Sequence, residues 1–295
     1  FIGVCSSPTL YYAVHTLRVD AGLMITASHN PAEYNGIKIC LGKSSLWGPE
    51  IKNIQSLYYA HTKPSFTYGG MVTEYDIIPD YITSLKSRFP QLIGIDLPLI
   101  IDCGNGSAGT VMPFLCDVME WKNVTLLYAD VDGTYPHHEA DPTKEKNMVD
   151  VKNALQKTDA HVGIGFDGDC DRMGVMTKEG FLVPGDQLLA LFAQPVIHDN
   201  PGCTIISDIK SSSAVLEILT SWGAKPVLSP SGHAIIKENM HKHKALLGGE
   251  LSCHFFFADR YFGFDDAFYA LLRLLELLLE GKTLEQLLTV IPKMY

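Results

Sequence analysis

"LPLIIDCGNGSAG", residues 97–109, is the stretch on which the fold turns. An apolar run ends at Asp102, breaks into a glycine-rich loop, and gives way to a helical pattern in "TVMPFLCDVMEW", residues 110–121. The same order recurs. "CTIISDIKSSSA", residues 203–214, passes from an apolar strand through small polar residues into the helical "AVLEILTSW". "GLMITASHN", residues 22–30, is another strand that ends in such a loop, and "AHVGIGF", residues 160–166, runs into "DGDCDR". Strands alternating with helices predict an α/β fold with mixed, mainly parallel sheets. In such sheets ligands collect beyond the carboxyl ends of the strands, and all four loops lie at those ends.

A chain of 295 residues suits two or three domains. Breaks near Pro79, after "VTEYDII", and at Pro184-Gly185, after "KEGFLV", divide it into residues 1–78, 79–183 and 184–295. The expectation is three consecutive α/β domains, the first incomplete, since the chain opens at Phe1 in what reads as mid-strand. Hydrophobic residues at 46% against 19% charged supply a packed core. A net charge of −10 argues against nucleic acid or an anionic membrane as partner, but leaves room for a small phosphate-bearing ligand. Seven cysteines without a C-x-x-C pair read as free thiols in a reducing, cytoplasmic setting, with no zinc site. The most apolar run, Ala267 to Leu279, is too short to span a bilayer and reads as a core helix. No signal peptide is evident.

"FDGDCDR", residues 166–172, is the most informative motif. Asp167, Asp169 and Asp171 bend three carboxylates around one point, an arrangement that needs a cation among them. Hard oxygen ligands suit Mg²⁺ or Ca²⁺, and Arg172 alongside is placed to hold a phosphate. An EF-hand also begins D-x-D-x-D, but Arg172 and Lys178 stand where its glycine and closing glutamate belong.

Other motifs carry two readings each. "GNGSAG", residues 104–109, with Asp130 further on, matches the dinucleotide fingerprint, or is a tight turn where glycine lets backbones approach. "GGELSCHFFF", residues 248–257, sets Glu250, Ser252 and His254 at alternate positions, which on an extended segment point to one side and suit sugar hydroxyls. "SPSGHAIIKENM", residues 229–240, opens a helix carrying Lys237, favourable to an anion. "ITASHNPAEYNGIKI", residues 25–39, is a turn between strands that exposes the Ser28 hydroxyl beside His29.

Together these stretches resemble the α-D-phosphohexomutases, the phosphomannomutase/phosphoglucomutase superfamily. The family's T-A-S-H-N-P loop is met at Thr26 to Pro31, followed by Asn35-Gly36-Ile37-Lys38. Its D-G-D-G-D-R loop is met at Asp167 to Arg172 with Cys170 for the middle glycine, and its G-E-M-S-G-H loop at Gly249 to His254 with Leu251 and Cys253 substituted. "IDCGNGSAG", "YPHHEADPTKEKN" and "SGHAIIK" also resemble family segments, and the likeness runs through essentially the whole chain.

The resemblance implies reversible phosphoryl transfer between the 1- and 6-positions of a hexose, through a phosphoserine at Ser28 and a hexose 1,6-bisphosphate. It implies Mg²⁺ held by Ser28, Asp167, Asp169 and Asp171, with His29 or Lys38 as acid or base and Arg172 on the transferring phosphate. Lys237, Glu250, Ser252 and His254 would bind the hexose phosphate. Leu251 leans toward mannose or glucose, and the dinucleotide reading recedes. The resemblance also implies an early arginine loop before Phe1 and a fourth, phosphate-gripping domain after Tyr295. Without them, little turnover is expected of this chain alone. Ala267 stands where the family usually has glycine. The competing reading is a non-catalytic phosphosugar-binding relative.

Overall fold

The computed structural model describes residues 1–60, 69–279 and 281–291. The first region comprises α1 (Ser7–Thr16), β1 (Ala21–Ile25), β2 (Ile37–Leu41), β3 (Ser44–Ser45) and α2 (Pro49–Tyr59). Ser6 caps α1 by accepting from the Thr9 amide at 3.3 Å, and Pro8 sits in its first turn, where a missing N–H costs nothing. The three strands form an antiparallel sheet, β1 meeting β2 in the register Ala21 to Leu41 and Ile25 to Ile37. This sheet departs from the mainly parallel expectation because the Thr26–Gly36 loop folds β2 straight back on β1, and a crossover helix would be needed for a parallel pair. Its face bearing Leu23, Ile25, Ile37 and Leu41 is exposed.

The second region contains α3 (Ile78–Arg88), β4 (Leu99–Asp102), α4 (Met112–Val118), β5 (Val124–Leu127), α5 (Val149–Lys157), β6 (Val162–Phe166) and β7 (Met173–Thr177). Its sheet has the order β5-β4-β6-β7, parallel except for β7. The third region contains α6 (Gly185–Asp199), β8 (Thr204–Asp208), α7 (Ser213–Ser221), β9 (Lys225–Ser229), α8 (His233–His243), β10 (Leu247–Gly249), β11 (Phe255–Phe257), α9 (Ala267–Leu278) and α10 (Leu284–Leu288). Its order, β9-β8-β10-β11, repeats that of the second sheet, again with the last strand antiparallel. The chain is thus built of three α/β units, two of them sharing one topology.

A shared core joins the three. Tyr12 of α1 lies 5.4 Å from Tyr81 of α3, and Tyr81 in turn 6.2 Å from Phe268 of α9, ring centre to ring centre. The apolar run at Ala267 is the expected core helix, with Arg273 buried in it against Asp259 at 2.7 Å. No helix among the described residues is long and apolar enough to cross a membrane.

The glycine-rich turn after β4 serves packing. The Ser107 amide and hydroxyl both donate to the Gly168 carbonyl, at 2.9 and 3.0 Å, and a Cβ on Gly106 would stand 2.8 Å from that oxygen. The backbone of the acidic loop therefore fills the place a pyrophosphate would need. Glycine here lets two loops touch.

Gly109 makes the same point more severely, since any Cβ there would collide with the Ala129 carbonyl. Gly109→Ala should cost about 1–3 kcal/mol or more, read as a lowered midpoint in thermal unfolding. Gly133→Ala, where a Cβ meets nothing within 4 Å, should leave the midpoint in place.

Candidate functional site

The fully buried strand β6 delivers Asp167 at its carboxyl end, and the chain turns at once, the Cys170 amide donating to the Asp167 carbonyl at 3.2 Å. Strands flank the loop on both sides, as the rejection of an EF-hand requires. Asp167, Asp169 and Asp171 are buried, and one oxygen from each lies within 4.8 Å of the others. Burial, then the charges of Asp171 and Asp169, push the Asp167 carboxyl well above its usual range. Asp169 Oδ1 is buried without a hydrogen-bond partner. An unpaired buried oxygen on a crowded carboxylate triad fits a hard divalent cation. Cys170 stands at φ 62°, which accounts for the glycine expected there.

The first region closes over this loop. β2 carries Lys38, whose ammonium lies 2.7 Å from Asp169 Oδ2 and 2.6 Å from Asp171 Oδ2. Burial alone would lower its pKa, but Asp171 and Asp169 outweigh burial and hold it well above the usual range. The Ser28 hydroxyl donates to Asp167 Oδ2 at 2.9 Å, and the Ser28 amide donates to Thr26 Oγ1 at 2.9 Å. Ser28 is itself left-handed, φ 53°, a conformation costly for any side chain and kept where surrounding contacts demand it. His29 turns Nδ1 toward Asp141 Oδ2 at 3.4 Å.

The third region supplies the remaining candidates, in a form the alternating pattern did not foresee. Glu250, Ser252 and His254 do not share one side of an extended segment. Residues 250–253 form the tight turn of the antiparallel pair β10–β11, the Cys253 amide donating to the Glu250 carbonyl at 2.9 Å and Cys253 left-handed at φ 66°. The turn converges the three side chains instead. His254 places Nδ1 2.9 Å from Glu250 Oε2 and 3.0 Å from Ser252 Oγ, with Nε2 3.2 Å from Asp171 Oδ1. Burial lowers the His254 pKa, but the charge and hydrogen bonding of Asp171 and Glu250 prevail and raise it to about 10.

The anion at the start of α8 is internal, because Glu250 Oε1 accepts from the Gly232 amide at 2.6 Å. Lys237 donates to Asp265 Oδ1 at 2.8 Å and lies 3.9 Å from the centre of the Tyr11 ring. Arg172 directs Nε toward His254 Nε2 at 3.3 Å and lies 3.9 Å from Asp167 Oδ2.

All eleven sequence candidates are thus tied into the loops around the acidic triad. Ser7, Thr26, Asp141 and Asp265 were not singled out from the sequence. Ser7 donates to Asp169 Oδ2 at 2.7 Å, and Asp265 pairs with both His233 and Lys237. The local signals were slight: a Ser-Ser-Pro-Thr helix start and an Asp-Asp pair ahead of a helix. As a whole the site gathers buried carboxylates, cations and one serine hydroxyl carried on left-handed backbone, an arrangement suited to phosphoryl chemistry.

Comparison with known proteins agrees with this three-unit fold. Residues 1–64, 79–180 and 184–295 match the phosphoglucomutase/phosphomannomutase alpha/beta/alpha domains I, II and III. A phosphomannomutase/phosphoglucomutase of Pseudomonas syringae is 39% identical over 277 residues, covering 94% of this chain and 58% of that protein. A phosphoglucomutase of Neisseria meningitidis is 39% identical over 296 residues, covering 99% and 63%. A crystal structure of a phosphoglucomutase/phosphomannomutase family protein from Burkholderia thailandensis superposes with a TM-score of 0.93 at 33% identity, covering 100% of this chain and 65% of that one. The chain therefore spans about six-tenths of the length of these relatives.

Lys38 is the cation that lets Asp169 and Asp171 stay buried. Lys38→Met should cost the metal-free chain about 3–5 kcal/mol, seen as a lower melting midpoint in chelator. Added divalent cation should raise the variant's midpoint further than the wild type's. Equal midpoints in chelator would show that the pairing carries no such weight.

Proposed function

The chain belongs to the α-D-phosphohexomutase superfamily, in the phosphoglucomutase/phosphomannomutase family, and we propose that the whole protein interconverts hexose 1-phosphate and hexose 6-phosphate. The preferred sugars are mannose and glucose, and Ser28 is the phosphoryl carrier. The observation that supports this best is the Ser28 hydroxyl, carried on left-handed backbone and 2.9 Å from Asp167, with Lys38 bridging the other two carboxylates. Residues 1–78, 79–183 and 184–295 are the three domains in this reading, and the reducing setting is the cytoplasm, in keeping with seven free cysteines.

Asp167, Asp169, Asp171 and an oxygen of phosphorylated Ser28 would hold Mg²⁺, which when bound neutralises charge on the phosphoryl group. In the first half-reaction a sugar hydroxyl oxygen attacks phosphorus and the bond from phosphorus to Ser28 Oγ breaks. The hydroxyl proton passes to a base, and Ser28 Oγ regains a proton from an acid. Lys38, an ammonium set between Asp169 and Asp171, is the candidate acid. His29, with Nδ1 directed at Asp141, offers Nε2 as the base. Arg172 steadies the transferring phosphate, while Lys237, Glu250, Ser252 and His254 hold the sugar phosphate. The bisphosphorylated sugar then turns round, and the same steps in reverse return its other phosphate to Ser28.

Intact mass of the protein expressed from its complete gene tests this reading. One phosphate is expected, absent in Ser28→Ala and discharged by excess hexose monophosphate. Coupled assays should show mutase turnover on mannose and glucose phosphates, lost on the order of 10²-fold or more in Ser28→Ala and Asp169→Asn. A Ser28 that stays unphosphorylated in folded, Mg²⁺-loaded protein would point to a non-catalytic binder.

A further inference from the structure

The carboxylate of Asp169 is held unevenly. Its Oδ2 takes the Ser7 hydroxyl at 2.7 Å, the Thr26 hydroxyl at 3.1 Å and the Lys38 ammonium at 2.7 Å. Its Oδ1 is buried and has no hydrogen-bond partner. Such a carboxylate is fixed in rotation by one oxygen while the other is presented bare.

Ser7 is unusually well committed to this task. It is fully buried, its amide donates to the Asp169 carbonyl at 2.9 Å, and its hydroxyl also accepts from Lys38 at 3.0 Å. Capping of α1 does not explain that hydroxyl, because Ser6 is the cap. Thr26 is similarly double-ended, donating to Asp169 while accepting from the Ser28 amide. Both residues come from the first region, and the carboxylate they hold belongs to the second.

We propose that Ser7 and Thr26 are positioning residues for a divalent cation: they clamp Asp169 Oδ2 so that Oδ1 faces the ion, and the first region thereby sets the cation affinity of the acidic loop. This rests on the reading that the Asp167, Asp169 and Asp171 loop binds such a cation. Hydrogen-bond partners behind a ligand typically govern metal affinity by about 10–100-fold, since they fix the ligand's orientation and its basicity. Here two hydroxyls and an ammonium share one oxygen, so each hydroxyl should carry the lower part of that range.

Mn²⁺ binding to the 295-residue chain, followed by the spin-resonance signal of the free ion at fixed pH, tests the clamp without any turnover. The wild type should bind one ion, and Asp169→Asn should bind none. Ser7→Ala and Thr26→Val should each weaken binding about tenfold, and Ser7→Thr, which keeps the hydroxyl, should restore it. Melting curves in chelator identify a variant that fails to fold. Should Ser7→Ala do so, Thr26→Val decides alone. Wild-type affinity in both hydroxyl-deleted variants, with binding lost in Asp169→Asn, overturns the clamp and leaves the cation reading standing. A wild type that binds no Mn²⁺, or an Asp169→Asn that still binds it, overturns both.

Discussion

One ammonium group between two buried carboxylates governs this structure. Three aspartates cannot share a dry turn as anions without opposite charge beside them, and Lys38 brings that charge from another part of the chain. The acidic loop of the second region is therefore electrostatically complete only when the first region is docked on it. The third region completes it from the opposite side, since His254 reaches Asp171, whose charge raises the imidazole's pKa against burial. Charge burial, besides the shared aromatic core, is what makes three similar units into one molecule.

The second and third regions repeat more than a strand order. Aligned on the ends of β6 and β10, "DGDCD" and "ELSCH" make the same turn, with a bond from the cysteine amide back to the first residue's carbonyl and a left-handed cysteine in each. The two turns face each other, Arg172 bridging to His254 and the Met173 amide donating to the Cys253 carbonyl at 3.1 Å. One turn was filled with hard oxygen ligands. The other took a mixture of carboxylate, hydroxyl and imidazole. A single backbone device thus presents two chemistries to one space.

Much of this was legible in local pattern. Apolar runs ending in Asp102, Asp167 and Asp208 marked the central strands, and the position of the loops at strand carboxyl ends followed from sheet physics. The core helix at Ala267 was plain from its composition. Direction and convergence were less visible. Nothing in "GGELSCH" distinguishes an extended run from a tight turn, because the left-handed residue is a cysteine where a glycine would have announced it. Ser7 lies 162 residues from Asp169, and Lys38 lies 133 from Asp171. Partnerships at that separation are written in the packing of whole units, and a short polar stretch before a helix gives no hint of them.

Helix α1 holds one further consequence. Ser7 and Tyr11 stand one turn apart on the same side of it. The first is bonded to the acidic loop of the second region, and the second lies under the Lys237 ammonium of the third. The interval between those two attachments is a length of helical backbone, about 6 Å for four residues. Helix α1 is in this respect a gauge block. It spaces the acidic pole of the site from a lysine of the third region by a fixed run of backbone.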